Sequence, residues 1–469
     1  MNQPAENRLG TVPVGRLLAT MSVPMMISFF IQALYNIVDS VFVAQISENA
    51  LTAVSLAFPM QQIVNAIAVG LGVGVNACVP RFLAQKDPER ANRIIGNAIL
   101  LCIGFFALFL VLGLTSVRGI YALQTDEQEI VELGESYLSV CWSLCFGVFF
   151  GQVFEKLLVG CGHPVPAMLS QAGGAVVNLI LDPLLIFGIG PFPALGITGA
   201  AVATVTGQIF AALLAFLLNL LRNGSVRIRP RYLPPRLSCL KNIFTVGIPT
   251  MVTMGLSSVT TFCVNQILLG YSTTATAVYG IWIKVQNFCY MPVYGMNNAT
   301  VPILSYNYAR GYKARVNRTI RLAVMVCLSY LLVLAAVLEC IPVPLLRLFS
   351  ASDNMLSIGT VALRMCAASL PFGGLALILG SAMQSLRHEK SCLVSNLLRQ
   401  FVYLIGLFGL LSLLTGTLSL VWLAVPLSEL LSFVTALLLF LRMKKRLRYP
   451  DDAEKQPPDG KSSPENINP

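Results

Sequence analysis

Residues 94–117 read IIGNAILLCIGFFALFLVLGLTSV, with no charge between Arg93 and Arg118. As a helix this run would measure about 36 Å, enough to cross the roughly 30 Å hydrocarbon core of a bilayer. Similar runs recur along the chain, twelve in all: 17–44, 52–80, 94–117, 133–159, 166–188, 195–221, 242–270, 276–305, 319–341, 356–385, 392–414 and 418–441. The composition agrees. Of 469 residues, 56% are hydrophobic and 11% charged, and the mean hydropathy is +0.74. Soluble domains carry about 25% charged residues. The expected class is therefore an all-α integral membrane protein with twelve transmembrane helices. The polar start MNQPAENRLG is unlike a cleavable signal, so the first helix is expected to remain.

Lys and Arg set the orientation. Assigned to alternating loops, 28 of the 32 basic residues fall on the face that carries both termini. That face is expected to be cytoplasmic, in a plasma membrane. The net charge of +11 is dispersed among short loops, which argues topology and no nucleic-acid partner. Twelve cysteines lie mostly in apolar runs, without C-x-x-C and with two histidines in the whole chain, so neither a disulfide framework nor a resident metal is expected.

A shift of 225 residues aligns the two halves: MSVP (21–24) with VGIP (246–249), LTAVSLAF (51–58) with ATAVYGIW (275–282, offset by one), and His163 with His388. Six spans per copy is an even number, so the copies run parallel and form two six-helix lobes. The expected domains are a cytoplasmic segment 1–16, a first lobe 17–221, a basic linker 222–241, a second lobe 242–441, and a tail 442–469, basic and then polar and disordered. Pro24 and Pro249 hold matching places in spans one and seven and are hinge candidates. Gly70-Leu71-Gly72-Val73-Gly74 resembles a nucleotide-binding glycine run, but it sits in an apolar span without a βαβ context and reads as a helix-packing stripe.

Few carboxylates lie inside spans, and each costs about 2.5–3.5 kcal/mol to insert, so each is a functional candidate. Asp39 and Asp182 both fall about 8–9 Å from the outer end of their spans. Asn178 and Asp182 share a helical face, Gln32 lies on the face of Asp39, and Thr204 reaches a similar depth. These five are the candidate ion or proton site, with Na⁺ possible at Asp39, Asn178 and Asp182. The 225-residue shift turns Asp39 into Val264 and Asp182 into Leu407, so the second lobe lacks both acids. It carries instead Lys284, Arg364 and Glu429, expected to compensate one another, with Lys284 and Glu429 paired. Aromatic and Met residues near the expected cleft, Tyr35, Phe58, Trp282, Tyr290 and Met291, are candidates for holding flat apolar cations.

The strings LYNIVDSVFVAQ, LTAVSLAFP, NLILDPLLIFG, GAAVAT and MPVYGMNNATVPILSYNYARG, in this order, resemble the MATE (multidrug and toxic compound extrusion) transporters and their DinF-like branch. The resemblance runs to about Arg448. It implies two six-helix bundles and export of small amphipathic, often cationic compounds in exchange for protons or Na⁺, with Gln32, Asp39, Asn178, Asp182 and Thr204 matching a first-lobe polar cluster associated with coupling. No other cofactor and no enzymatic activity are implied, and a monomer is expected. The rival reading is a flippase for lipid-linked saccharides, which would need a basic cavity. No nucleophile with an adjacent base, no filter-like loop and no G-x-x-x-x-G-K-[ST] appears, which argues against an enzyme, a channel or an ATP-driven pump.

Overall fold

In the computed structural model, which describes residues 8–349, 352–447 and 449, the duplication is visible helix by helix. A short α1 (Arg8–Thr11) leads into α2 (Val14–Ala44), α3 (Glu48–Ala84), α4 (Pro88–Thr115) and the short α5 (Val117–Ala122). Span four is broken into α6 (Gln128–Ser143) and α7 (Phe146–Gly160), and α8 (Pro164–Phe187) and α9 (Ile197–Arg222) complete the lobe. The second lobe repeats this as α10 (Leu237–Leu269), α11 (Thr273–Ala309), α12 (Lys313–Cys340), α13 (Pro342–Leu348), α14 (Asp353–Ala367) and α15 (Leu370–Ser385). Span eleven joins α16 (Glu389–Leu397), a π-helical stretch Leu398–Ile405 and α17 (Gly406–Thr415); α18 (Leu418–Val421) and α19 (Ala424–Arg446) close the lobe. No strand occurs among the described residues. The expected tail beyond 449 and the first seven residues lie outside the described residues.

Adding 225 to the bounds of α3 and α4 gives those of α11 and α12. The caps match too: Ser47 accepts a hydrogen bond from the Ala50 amide, and Ser272 from that of Ala275, each satisfying an orphan amide at a helix start. Left-handed backbone recurs at Lys86 and Gly311, and again at Gly162 and Arg387. The turn geometry is thus kept even where one copy has lost the glycine that adopts it without strain. Helices overrun the apolar runs by a turn or two where caps lie beyond the hydrocarbon; α4 begins at Pro88, with Asp87 accepting from the Arg90 amide.

Counting each broken pair as one, eleven spans among the described residues are long and apolar enough to cross a bilayer. The twelfth, α11, is 37 residues long but rich in polar side chains, and Thr300, Ser305 and Asn307 are buried among its neighbours. The breaks in spans four and ten bend by 44° and 42° at matching places. Pro24 and Pro249 sit inside helices α2 and α10, which run on without a break.

The lobes meet through α3 against α10 and α2 against α11. A Cβ on Gly247 would stand 2.5 Å from the Gly70 carbonyl oxygen, one on Gly74 2.8 Å from that of Ile243, and one on Gly72 3.0 Å from that of Gln152. The glycine stripe is thus a packing surface, used both within and between the lobes. Polar bridges reinforce it: Lys156 donates to Asn298 at 2.6 Å, Asn76 to the Asn298 carbonyl at 3.2 Å, and Arg81 to the Ser385 carbonyl at 3.4 Å. All these groups lie in the half of the spans nearer the termini, so the lobes are clasped at that face.

Two connecting segments strengthen the clasp by crossing over. Carbonyls of Leu9 and Val12, just before the first lobe, accept from Arg315 of the second at 3.4 and 2.6 Å. Amides of Arg227 and Arg236, just before the second lobe, donate to Asn92 and Asn97 of the first at 2.7 and 2.8 Å. Arg81, Lys156 and Arg315, assigned by sequence to the basic face, are buried here and hold the lobes together.

Gly247→Val should destabilise the protein by about 1–3 kcal/mol through overpacking, read as a lower unfolding temperature in detergent. Gly280→Val, where a Cβ meets nothing within 4 Å, should stay close to wild type.

Candidate functional site

The first-lobe site begins with glycine. A Cβ on either Gly174 (α8) or Gly207 (α9) would lie 2.6 Å from the carbonyl oxygen of the other, so the two helices touch backbone to backbone. One turn on, this closeness lets the Asn178 amide donate both to Asp182 Oδ1 at 3.3 Å and to Thr204 Oγ1 at 3.5 Å. Asn178 and Asp182 are buried. Helix α2 packs along α8 and brings half-buried Asp39 within electrostatic range of Asp182. Tyr35 lies one turn from Asp39 on the same helix, and Gln32 lies beside Tyr35.

The structure adds groups that sequence reasoning missed. Gln61 of α3 donates to the Tyr137 hydroxyl at 3.3 Å and lies 3.3 Å from the Cys141 sulfur, and Tyr137 and Cys141 on α6 are within electrostatic range of Asp39. A glutamine inside an apolar span was the available signal.

Asp39 Oδ1, Asn178 Oδ1 and Asp182 Oδ2 are buried without a donor among the described residues. Buried acceptors rarely go unpaired. Carboxylate and amide oxygens are the kinds of donor that suit a proton or a hard cation such as Na⁺. Where two carboxylates share a poorly solvated region, one bound positive charge relieves both their repulsion and their desolvation.

The second lobe meets the problem differently. Glu429 holds the place of Thr204 and Arg399 that of Gly174 under the 225-residue shift, and the two form a buried ion pair, Nη2 to Oε1 at 2.6 Å and Nε to Oε1 at 3.2 Å. The expected Lys284–Glu429 pair is therefore corrected. Lys284 stands over the Phe349 ring, 5.9 Å from its centroid, and Arg364 is exposed. Arg399, one of the 28 basic residues that the sequence assigns to the face of the termini, lies in the π-helical stretch, inside span eleven. Of the cleft candidates, Trp282 and Tyr290 are packed in the interior of the second lobe, Tyr35 and Met291 are half-buried, and Phe58 is exposed.

Two duplicated six-helix lobes clasped at one face, with a polar cluster buried in one of them, define a two-lobed membrane transporter. A family model described as MatE matches residues 24–184 and 249–407, once in each lobe, and the chain belongs to that family. It is 25% identical over 421 residues to a protein named FAD transporter from Shewanella oneidensis, covering 90% of this chain and 93% of that one. It is 24% identical over 437 residues to the multidrug export protein MepA of Staphylococcus aureus, covering 93% and 95%. Among solved structures, the fold matches one titled the outward-facing conformation of a multidrug resistance MATE family transporter, with TM-score 0.87, 24% identity and 95% and 99% of the chains covered. It also matches a MOP superfamily transporter from Pyrococcus furiosus, with TM-score 0.86, 24% identity and the same coverage. The family and these neighbours are transporters, not enzymes.

Breaking the buried pair on one side should cost about 3–5 kcal/mol by leaving the other charge uncompensated. Arg399→Met or Glu429→Gln alone should thus lower the yield of folded protein. The double variant should recover much of it, and simple additivity in this cycle would show that the two groups do not act as a unit.

Proposed function

We propose that the protein exports small amphipathic cations across the plasma membrane in exchange for protons or Na⁺, by alternating access, as a member of the DinF-like branch. The observation that carries this reading is the trio of buried acceptor oxygens on Asp39, Asn178 and Asp182 without a donor among the described residues. Their asymmetry supports it: a first lobe with acids lacking basic partners suits a cationic solute and a coupling cation. The relative named for multidrug export points the same way, while the one named for FAD shows that substrates differ within the family. The flippase reading needs a basic cavity, and two of the second-lobe cations are otherwise engaged, Arg399 with Glu429 and Lys284 over the Phe349 ring, which favours the cation exporter.

Coupling follows from differential affinity. With the basic face in the cytoplasm, the clasp described above closes the inner side, and a proton or Na⁺ reaches Asp39 and Asp182 from outside. Binding there neutralises charge held between α2 and α8, changes how these helices pack, and favours the state that releases substrate outward. Gln32 and Thr204 position the cluster. Both lobes and the whole site lie in one chain, so a monomer suffices.

Two measurements test this. In a cysteine-free background, single cysteines at Ser47 and Thr273 should be labelled from outside and one at Ser225 only from within; outside labelling of Ser225 in sealed cells would reverse the orientation. Asp39→Asn and Asp182→Asn should each abolish gradient-driven efflux of a cationic dye while leaving membrane insertion intact, because the amide keeps the shape and loses the ionisable group. Export at wild-type rates by both variants would make the acids structural.

A further inference from the structure

At the basic face of the first lobe, a groove of about 400 Å³ opens where α8 begins and α9 ends. Arg8, His163 and Arg222 line it, with an apolar wall of Val165, Pro166, Leu169 and Leu218. No carboxylate lines it, and the side chains of all three basic residues have no hydrogen-bond or ion-pair partner among the described residues. Val165 and Leu169 are about half exposed, so the wall is open to the surroundings of the helices. Pro164 and Pro166 remove two amides from the start of α8, which leaves recognition to the charged side chains.

We propose that this groove binds the phosphodiester headgroup of an anionic phospholipid from the leaflet on the basic face. The two arginines grip the phosphate, since planar guanidinium forks match its oxygens. The acyl chains run along Val165, Leu169 and Leu218. Basic pockets between membrane helices at this depth are a recurring form of lipid recognition.

Two further observations support the assignment. His163, in the turn before α8, is held below its ordinary pKa by burial first and then by the nearby charges of Arg8 and Arg222, which places both arginines within electrostatic reach of the same ring. The duplication supplies the control. The same shift that turns His163 into His388 turns Arg8 into Leu233 and Arg222 into Leu447, so the matching place in the second lobe has no arginine pair, and His388 faces the Leu386 carbonyl at 3.0 Å. The groove is a feature of one lobe and not a by-product of the fold.

Native mass spectrometry of the full chain, titrated with phosphatidylglycerol or phosphatidylcholine, tests the proposal. Wild type should retain phosphatidylglycerol several-fold more than phosphatidylcholine. Arg8→Gln with Arg222→Gln should abolish that preference, and the charge-matched pair Arg442→Gln with Arg446→Gln, exposed on α19, should keep it. His163 gives a second readout by NMR: phosphatidylglycerol should raise its titration midpoint and phosphatidylcholine should leave it in place. Equal retention of both lipids, unchanged preference in the Arg8/Arg222 variant, or displacement by millimolar inorganic phosphate, which would mark a simple anion site, would each overturn it.

Discussion

A charge buried in a membrane span has to be compensated by a partner or by something the protein binds, and the two lobes resolve this in opposite ways. At equivalent places in the duplication the first lobe has Gly174 and Thr204, the second Arg399 and Glu429. Glycine lets α8 and α9 touch, so that Asn178 spans them, and Asp39 and Asp182 are left with oxygens that no donor among the described residues satisfies. In the second lobe the arginine compensates the charge of the glutamate within the protein through Oε1, although Glu429 Oε2 has no donor among the described residues. One lobe thus holds its buried carboxylate against a basic partner, while the other keeps carboxylates without one, which is what the proposed ion-driven cycle requires.

The inter-lobe surface suits a protein that must separate again. It relies on close glycine crossings such as Gly70 on Gly247, on a few hydrogen bonds including Lys156 to Asn298, and on two segments that each lie on the opposite lobe. Such contacts are specific in geometry but modest in net energy, since hydrogen bonds typically contribute about 0.5–1.5 kcal/mol each. A change of a few kcal/mol at the ion site is then large enough to compete with them.

Much of this was legible in the sequence, for identifiable reasons. Hydropathy located the spans because lipid imposes a long apolar run, and the 225-residue shift carried over to helix bounds and even to the caps at Ser47 and Ser272. Asn178, Asp182 and Thr204 were found together because i, i+4 spacing and depth are one-dimensional quantities. Arg399 was misplaced because counting basic residues by loop cannot see a side chain turned inward from a π-helical stretch. Trp282 and Tyr290 were read as cleft residues because helical periodicity does not separate a face toward the lobe interior from one toward the cleft. Span eight is less apolar than its length requires, and Thr300, Ser305 and Asn307 among its polar residues are buried against other helices.

The central claim is that occupancy of the Asp39–Asp182 site biases how the lobes stand relative to each other. Leu123 and Leu348 are equivalent under the duplication, highly exposed, and placed at the face opposite the clasp, at the ends of α5 and α13. Spin labels at Leu123→Cys and Leu348→Cys, with exposed Cys340 and half-exposed Cys263 removed, allow the separation to be measured in lipid discs as pH and Na⁺ are varied. The account predicts a distance distribution that shifts with one of these ions and becomes insensitive to both when Asp39 and Asp182 are changed to Asn. The same ion-dependent shift in the double Asn variant would contradict it.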